Sequence, residues 1–505
     1  MKKGAEKYKA AATDDYSGAL PGKLLEENIA FFNGIFKKDS VLRQKKIIVH
    51  GVYNYECALF YMDGMVDSEL ITESIVKPLL LVQNERTEGS FADYIKNQVL
   101  FASETKSTEN VADMLRAVLY GDTLLLIDGC LTAITINTKG WRTRGISEPS
   151  DERILQGPRE GFDEAALLNV AMIRRKLLTP DLCTEMVRIG RRSDTIVFIC
   201  YLDSLADGAM VAELKRRLSK INIDGILDTN YIAELIRDKP RSLFKTSGTT
   251  ERPDIVAARL LEGRIALIAD GTPVVLTFPY LFSENFQSDE DYYLNYVIAT
   301  VGRVLRYICF FLSVSIPAVF IAAATYHKEL LPTSLALTVT QLRGGVPFPA
   351  FAECILLIFV FEILKETGVR MPQSLGHALS IVGGLVVGQA AVEARIISAP
   401  MLIIVALAGI SGLMIPRLKG AVFYFRIIFV CLSALFGLYG YIAGFTLMLI
   451  HILQLSSLGV SSTASLNSAD KRSLKDTFWR APWKNMHTRP IFCRNSVRME
   501  NKKSD

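Results

Sequence analysis

The chain lacks the residues from which catalytic, metal-binding and secreted modules are usually built. Histidine is scarce: the five, His50, His327, His377, His451 and His487, are too dispersed to mark a metal site. The eight cysteines form no C-x-x-C pair and follow no regular spacing. That excludes a disulfide framework and suits buried free thiols in a reducing compartment. No Walker A, H-E-x-x-H, G-x-S-x-G or G-x-G-x-x-G signature appears with the strand or helix context each needs. A formal net charge of +5 over 505 residues is small, so nucleic-acid binding gains no support. The first twenty residues carry lysines but no apolar h-region and no small-residue cleavage site. A secretory signal is therefore not expected, and the soluble part is expected in the cytosol. These features predict no cofactor, no metal and no enzymatic activity.

What the chain does have is apolar sequence, unevenly placed. It is 50% hydrophobic with a mean hydropathy of +0.26, yet the first 300 residues are charged and most long apolar runs lie between residues 304 and 455. The length exceeds what one core normally supports. The expected fold is an α+β soluble N-terminal domain of two similar α/β subdomains, followed by an α-helical multi-pass membrane domain of four to six spans with a possible re-entrant segment.

The soluble part carries an internal duplication. YMDGMVD, Tyr61 to Asp67, matches YLDSLAD, Tyr201 to Asp207, at an offset of 140, and GDTLLLIDGC, Gly121 to Cys130, matches GRIALIADGT, Gly263 to Thr272, at an offset of 142. Each first motif closes a strand-like run, Cys57–Met62 or Ile196–Leu202, and precedes a helix-like one, with Asp67 or Asp207 at the N-cap. Each second motif places an Asp-Gly pair, Asp128 or Asp270, between apolar runs, a hairpin signal. Asp63 and Asp203 end strands, where acids can serve a metal or substrate, but caps and turns explain all of these acids without a ligand. The division of the chain follows: 1–43 tail and short helix (Leu24–Phe36), 44–144 first subdomain, 145–192 charged linker with a helix over Ala165–Leu177, 193–300 second subdomain, 304–455 membrane domain and 456–505 basic cytosolic tail.

In the membrane domain the first span is predicted over Leu305–Tyr326, with Arg303 and Arg306 at its mouth. Ala350–Leu364 is about 15 residues, short of the roughly 20 a crossing needs. Val422–Leu453 is one tilted helix, or a pair broken near Gly437 to Gly444 that raises the count to six. Gly384-to-Gly388 and Gly440-to-Gly444 match G-x-x-x-G, read as close packing within the chain. From Gly344 to Pro416 the apolar runs are interrupted by Pro347, Pro349, Glu353, Glu362, Gln389, Glu393 and Arg395, groups that at membrane depth line protein or water. Glu353 and Glu362 are nine residues apart, about 180° around a straight helix, so they do not share one face.

Taken together, GRRSDT with YLDSLAD, RPDIVAARLLEGRIALIADGTPVVLTFP, YHKELLP, VPFPAFAE with FEILKETGVRMP, SIVGGLVVGQAAVEA and the RAPW…TRP tail resemble the A subunit of spore germinant receptors, the GerA family. The resemblance covers about residues 40 to 490; a related stage V sporulation protein shares the same domain. It implies a subunit of a complex in the spore inner membrane, beside a transporter-like B subunit, a lipoprotein C subunit and membrane lipid. In that family nutrients are sensed chiefly through the B subunit, and A subunits form a homo-oligomeric, ligand-gated ion channel that triggers germination. Mapped onto this chain, the candidate gate is Val346, Pro347, Pro349, Glu353 and Glu362, with Gln389, Glu393 and Arg395 on or beside the GQAAVEA segment. The chain departs from the family pattern at Gly344 and Ile358, where acids are common, at His377 and at Arg395. Two other classes stay open on sequence: a secondary transporter or structural scaffold subunit, and a membrane-anchored enzyme using Asp63, Asp128, Asp203 and Asp270.

Overall fold

The computed structural model describes residues 13–16, 19, 21–50, 54–82, 91–102, 104–140, 149, 152, 156–370, 386, 388–467, 476–494 and 497–498. The soluble part folds as two five-stranded antiparallel sheets of the same topology. The first orders Leu42–Val49 (β1), Tyr55–Met62 (β2), Thr105–Thr108 (β3), Thr123–Ile127 (β4) and Ala133–Ile136 (β5) as β1-β2-β4-β5-β3. The second orders Leu182–Ile189 (β6), Thr195–Leu202 (β7), Gly248–Thr250 (β8), Ile265–Ala269 (β9) and Val275–Phe278 (β10) as β6-β7-β9-β10-β8. Every residue of β4 and β9 is buried, because each strand faces a core on both sides. Leu124 and Leu126 enter one core while Leu125 and Ile127 enter the other. Ala266 and Ile268 alternate with Ile265 and Leu267 in the same way. This period of two explains why both segments read as continuous apolar runs.

The duplication extends beyond the motifs. Helices Leu25–Ile35 (α1) and Ala166–Lys176 (α3) occupy equivalent places, with Val111–Leu119 (α2) packed on the first sheet between them in sequence. The Asp128 carboxylate accepts from the Leu25 N–H at 2.9 Å, and the Asp270 carboxylate accepts from the Ala166 N–H at 3.0 Å. Gly129 and Gly271 donate to the carbonyls of Lys23 and Glu164. Asn28 closes a two-bond ring with the backbone of Gly22, as Asn169 does with Asp163. Each hairpin turn thus holds the start of the helix opening its own repeat, satisfying donors a helix cannot satisfy internally. Asp67 and Asp207 cap as expected, the second on Gly208–Leu218 (α4), while Asp63 and Asp203 pair with Arg43 and Lys38.

The sequence assigns residues 182–189 to the linker; they form β6 instead. Paired along its length only with β7, this edge strand exposes Met186 and Arg188, so its polar content hides it from a reading based on apolar runs. The strands β1 and β3 expose polar residues in the same way, and β8 is only three residues long.

The helical part begins with Tyr296–Thr325 (α6), nine residues before the expected span; Pro253–Leu260 (α5) precedes it on the second sheet. Then follow Thr333–Arg343 (α7), Ala350–Arg370 (α8), Ala399–Leu413 (α9) and Lys419–Leu453 (α10). Among the described residues, two segments are long and apolar enough to cross a membrane, Tyr296–Thr325 and Pro416–Leu453. The predicted 15-residue segment is really the 21-residue α8: Glu362 pairs with Lys365 at 2.6 Å, so charge continues the helix instead of ending it. Its length is about 31 Å.

Helix α10 folds back on itself at Gly437, where φ is 60° and ψ is −142°. The ring of Phe429 lies 5.8 Å from Tyr441 and 6.4 Å from Phe445, distances that a straight helix forbids. Both ends of α10 meet the second subdomain: Phe244 stacks on Phe425 and lies beside His451. Its tip meets the far end of α6, where Tyr326 donates to the Ala434 carbonyl at 2.8 Å. The glycine pair expected to pack closely does so within the chain, Gly440 and Gly444 lying against Leu432 and Phe429. Gly384 and His377 lie outside the described residues.

The tail is not merely a surface segment. Arg494 N–H bonds the Leu205 carbonyl, Cys493 is buried in the second subdomain, and Asp476 bonds Arg303 of α6 at 2.6 Å.

Two measurements test these contacts. A Cβ on Gly440 would sit 2.1 Å from the Leu432 carbonyl oxygen, whereas Gly420 has open space around it. Gly440→Ala should destabilise by about 1–3 kcal/mol and Gly420→Ala should not, read as thermal unfolding of the detergent-solubilised chain. Glu284 is buried against Arg264 at 2.5 Å and Arg259 at 3.5 Å. Burial pushes its carboxyl up, but the two guanidiniums outweigh this and hold it below the ordinary glutamate value. The stability it contributes is therefore complete above that ordinary value and lost as pH falls through the lowered one. Glu284→Gln should cost about 3–5 kcal/mol at pH 7 and less as pH falls through that window.

Candidate gate at the far end of the helical layer

The turn between α7 and α8 is built by residues that restrict backbone choice. Gly345 takes φ +93°, a conformation other residues adopt with strain. Pro347 and Pro349 fix their own φ, and Pro349 offers its carbonyl to the Glu353 N–H at 3.1 Å, starting α8. Val346 is half-buried; Pro347 and Pro349 are exposed. Arg395, itself at φ +54°, lays its side chain over Gly345, with Nη1 3.4 Å from where a Cβ would be.

Directly behind this turn Glu353 is fully buried. One carboxylate oxygen accepts from the backbone N–H of Ser398, the N-cap of α9. A negative group there meets the positive end of the helix dipole and one of its free donors. The other oxygen lies 3.9 Å from Arg343 Nε. That pair is close but not hydrogen bonded, and neither Glu353 Oε2 nor Arg343 Nε has another partner. Glu353 therefore ties the last turn of α7, the start of α8 and the start of α9 together.

The predicted set divides. Val346, Pro347, Pro349, Glu353 and Arg395 come together, with Arg343 added. Glu362 sits toward the opposite end of α8, about 14 Å along the axis, beside Lys365, Lys419 and Arg426 at a narrow cleft between α8, α9 and α10. Gln389 and Glu393 stand exposed on the helical segment 388–393 that precedes α9.

The structure also buries Arg426 inside the bundle. Its guanidinium donates to the Ser313 carbonyl at 2.8 Å, the Ser313 hydroxyl at 2.6 Å and the Ala408 carbonyl at 3.0 Å. Gly412, with no Cβ, leaves room for that contact. One side chain thus joins α6, α9 and α10. Its only signal in the sequence is an arginine seven residues into a long apolar run.

The Bacillus/Clostridium GerA spore germination protein family model matches residues 30–492. Spore germination protein KA of Bacillus subtilis (strain 168) is 40% identical over 449 residues, spanning 88% of this chain and 82% of that protein. Spore germination protein GerLA of Bacillus cereus is 35% identical over 439 residues, spanning 86% and 89%. Among solved structures, the N-terminal domain of the A subunit of the Bacillus megaterium spore germinant receptor GerK3 is 30% identical. It covers 53% of this chain and 98% of that one, with a TM-score of 0.42.

Glu353→Ala should leave a free helix-start donor and an unpaired Arg343, lowering stability by about 1–3 kcal/mol. Glu353→Gln keeps the acceptor for Ser398 and should recover most of that loss. Thermal unfolding of the two variants in one detergent distinguishes capping from charge pairing.

Proposed function

Because the chain belongs to the Bacillus/Clostridium GerA spore germination protein family, we propose that it is a membrane subunit of a nutrient-responsive spore germination receptor and contributes an ion pathway to it. The carrying observation is the exposure of Gln389 and Glu393 on the outer surface of the helical layer. Polar and charged groups at membrane depth are costly against lipid and stable against protein or water. A ring of subunits that turned these surfaces inward would give them water and give ions a polar path. In this reading the gate is the turn holding Val346, Pro347 and Pro349, anchored from behind by Glu353, and the protein is not an enzyme.

In the proposed topology α6 leads away from the soluble domain, α8 and α9 both run back towards it, and the two arms of α10 go out and back. The contacts at both ends of α10 and the pairing of Glu353 with Ser398 support this order. The soluble domain and the tail then share the cytosolic face of the spore inner membrane. Transporter-like and lipoprotein subunits are the proposed partners within the receptor complex.

The duplicated aspartates support this reading over an anchored enzyme, since Asp128 and Asp270 hold helix starts, and Asp63 and Asp203 pair with surface cations. The repeat lies in the soluble part, which gives no support to the inverted membrane repeats of many secondary transporters.

Cation flux should be measured in vesicles holding the reconstituted receptor complex. Glu393→Lys and Gln389→Trp should lower it by roughly tenfold or more, equivalent to about 1.4 kcal/mol of barrier, while Glu362→Gln changes it less. Flux indifferent to both outer-surface substitutions would sink the channel reading.

A further inference from the structure

A second feature lies on the other side of the molecule from the gate. Between the second subdomain and the docked tail, at the foot of α6, is a cavity of about 590 Å³. That is the size of sites that take small organic ligands. Its wall is apolar on the subdomain side, with Ile255 and Leu261, and on the tail side, with Ile491 and Phe492. Trp483 and Tyr292, ring centroids 6.3 Å apart, close one end.

The charges on this wall are nearly all matched. Arg264 and Arg259 face Glu284, Arg498 and Arg264 face Glu262, Arg417 faces Asp289, and Asp476 is taken by Arg303. Arg489 is the exception. It donates to two backbone carbonyls, of Leu261 at 2.8 Å and of Val497, and has no carboxylate within ion-pair reach among the described residues. Burial lowers its hold on the proton relative to an ordinary arginine. The hydroxyl oxygen of the neighbouring Thr488 is buried without a hydrogen-bond partner.

A guanidinium half withdrawn from water is stabilised by a counter-charge, and here the space beside it is largely apolar. We propose that the cavity binds a small amphipathic organic anion, its acid group on Arg489 and its aromatic or branched body against Leu261, Phe492 and Trp483. The ligand is a free small molecule, since a volume of about 590 Å³ suits a compact body better than a lipid chain. Because the tail forms one wall and also holds Arg303 through Asp476, occupancy stiffens the joint at the base of α6. This site does not depend on the channel reading.

The chain has three tryptophans, so Trp141→Phe with Trp479→Phe leaves Trp483 as a reporter inside the cavity wall. The full chain in phosphatidylcholine nanodiscs is titrated with 4-phenylbutanoate and with its neutral amide, following Trp483 emission. Saturable binding of the acid, roughly tenfold weaker for the amide and in Arg489→Gln, is expected. Ala258→Phe, which fills the cavity from a residue outside the ion pairs, should abolish the signal and serves as the reading if Arg489→Gln fails to fold. No saturable change with the acid, equal affinity for acid and amide, or binding unchanged in a folded Arg489→Gln overturns the site. Loss of binding when phosphatidylglycerol replaces phosphatidylcholine overturns the free-ligand assignment, because a lipid headgroup then holds Arg489.

Discussion

The structure depends most on what surrounds one fully buried guanidinium. Arg303, two turns into α6, bonds Asp291 at 2.8 Å and Asp476 at 2.6 Å. Arg306, one turn on, shares Asp291. A buried ion of this kind holds only when its partners are fixed, and removing one leaves a charge stranded in low dielectric. The partners come from the segment that ends the soluble domain and from the tail that returns after the last helix. Three parts distant in sequence are thereby tied at one joint, and the direction in which α6 leaves the soluble domain is set there.

From that joint the helical layer is arranged by close backbone contact and by polar groups that answer one another. The reversal at Gly437 lets the two arms of α10 lie against each other, Gly440 on the Leu432 carbonyl and Gly444 on the side chains of Leu432 and Phe429. Arg426 then binds carbonyls of α6 and α9, and Glu353 binds the start of α9. In an apolar layer the hydrophobic effect does not choose between helix partners, so such contacts do. Gln389 and Glu393, by contrast, stand exposed.

The soluble domain was legible wherever a local signal existed. The Asp-Gly turns, the N-cap aspartates and the strands β2, β7, β4 and β9 all carry short-range patterns. The edge strands did not, since β1, β3 and β6 turn polar residues to water and β8 is only three residues long. That Asp128 and Asp270 hold helices about a hundred residues away was invisible, because nothing near either acid in sequence marks its partner. At the candidate gate, the prolines and the opposed faces of Glu353 and Glu362 could be read directly; the burial of Glu353 against Ser398 could not. The end of α8 was misplaced because charges within one turn of each other neutralise locally and let a helix continue.

By itself, then, the sequence determined the kinds of parts: a duplicated α/β unit, apolar helices, a proline-framed turn and a basic tail. Those follow from periodicity, caps and turn residues acting over a few positions. Tertiary structure alone decided which acids reach a distant helix start, which pair and which stand exposed, that Arg426 lies inside the bundle, and that the tail is a wall and not a loose end. These outcomes depend on groups separated by tens to hundreds of residues, whose energies are set by burial and by the partner that arrives, not by neighbours in the chain.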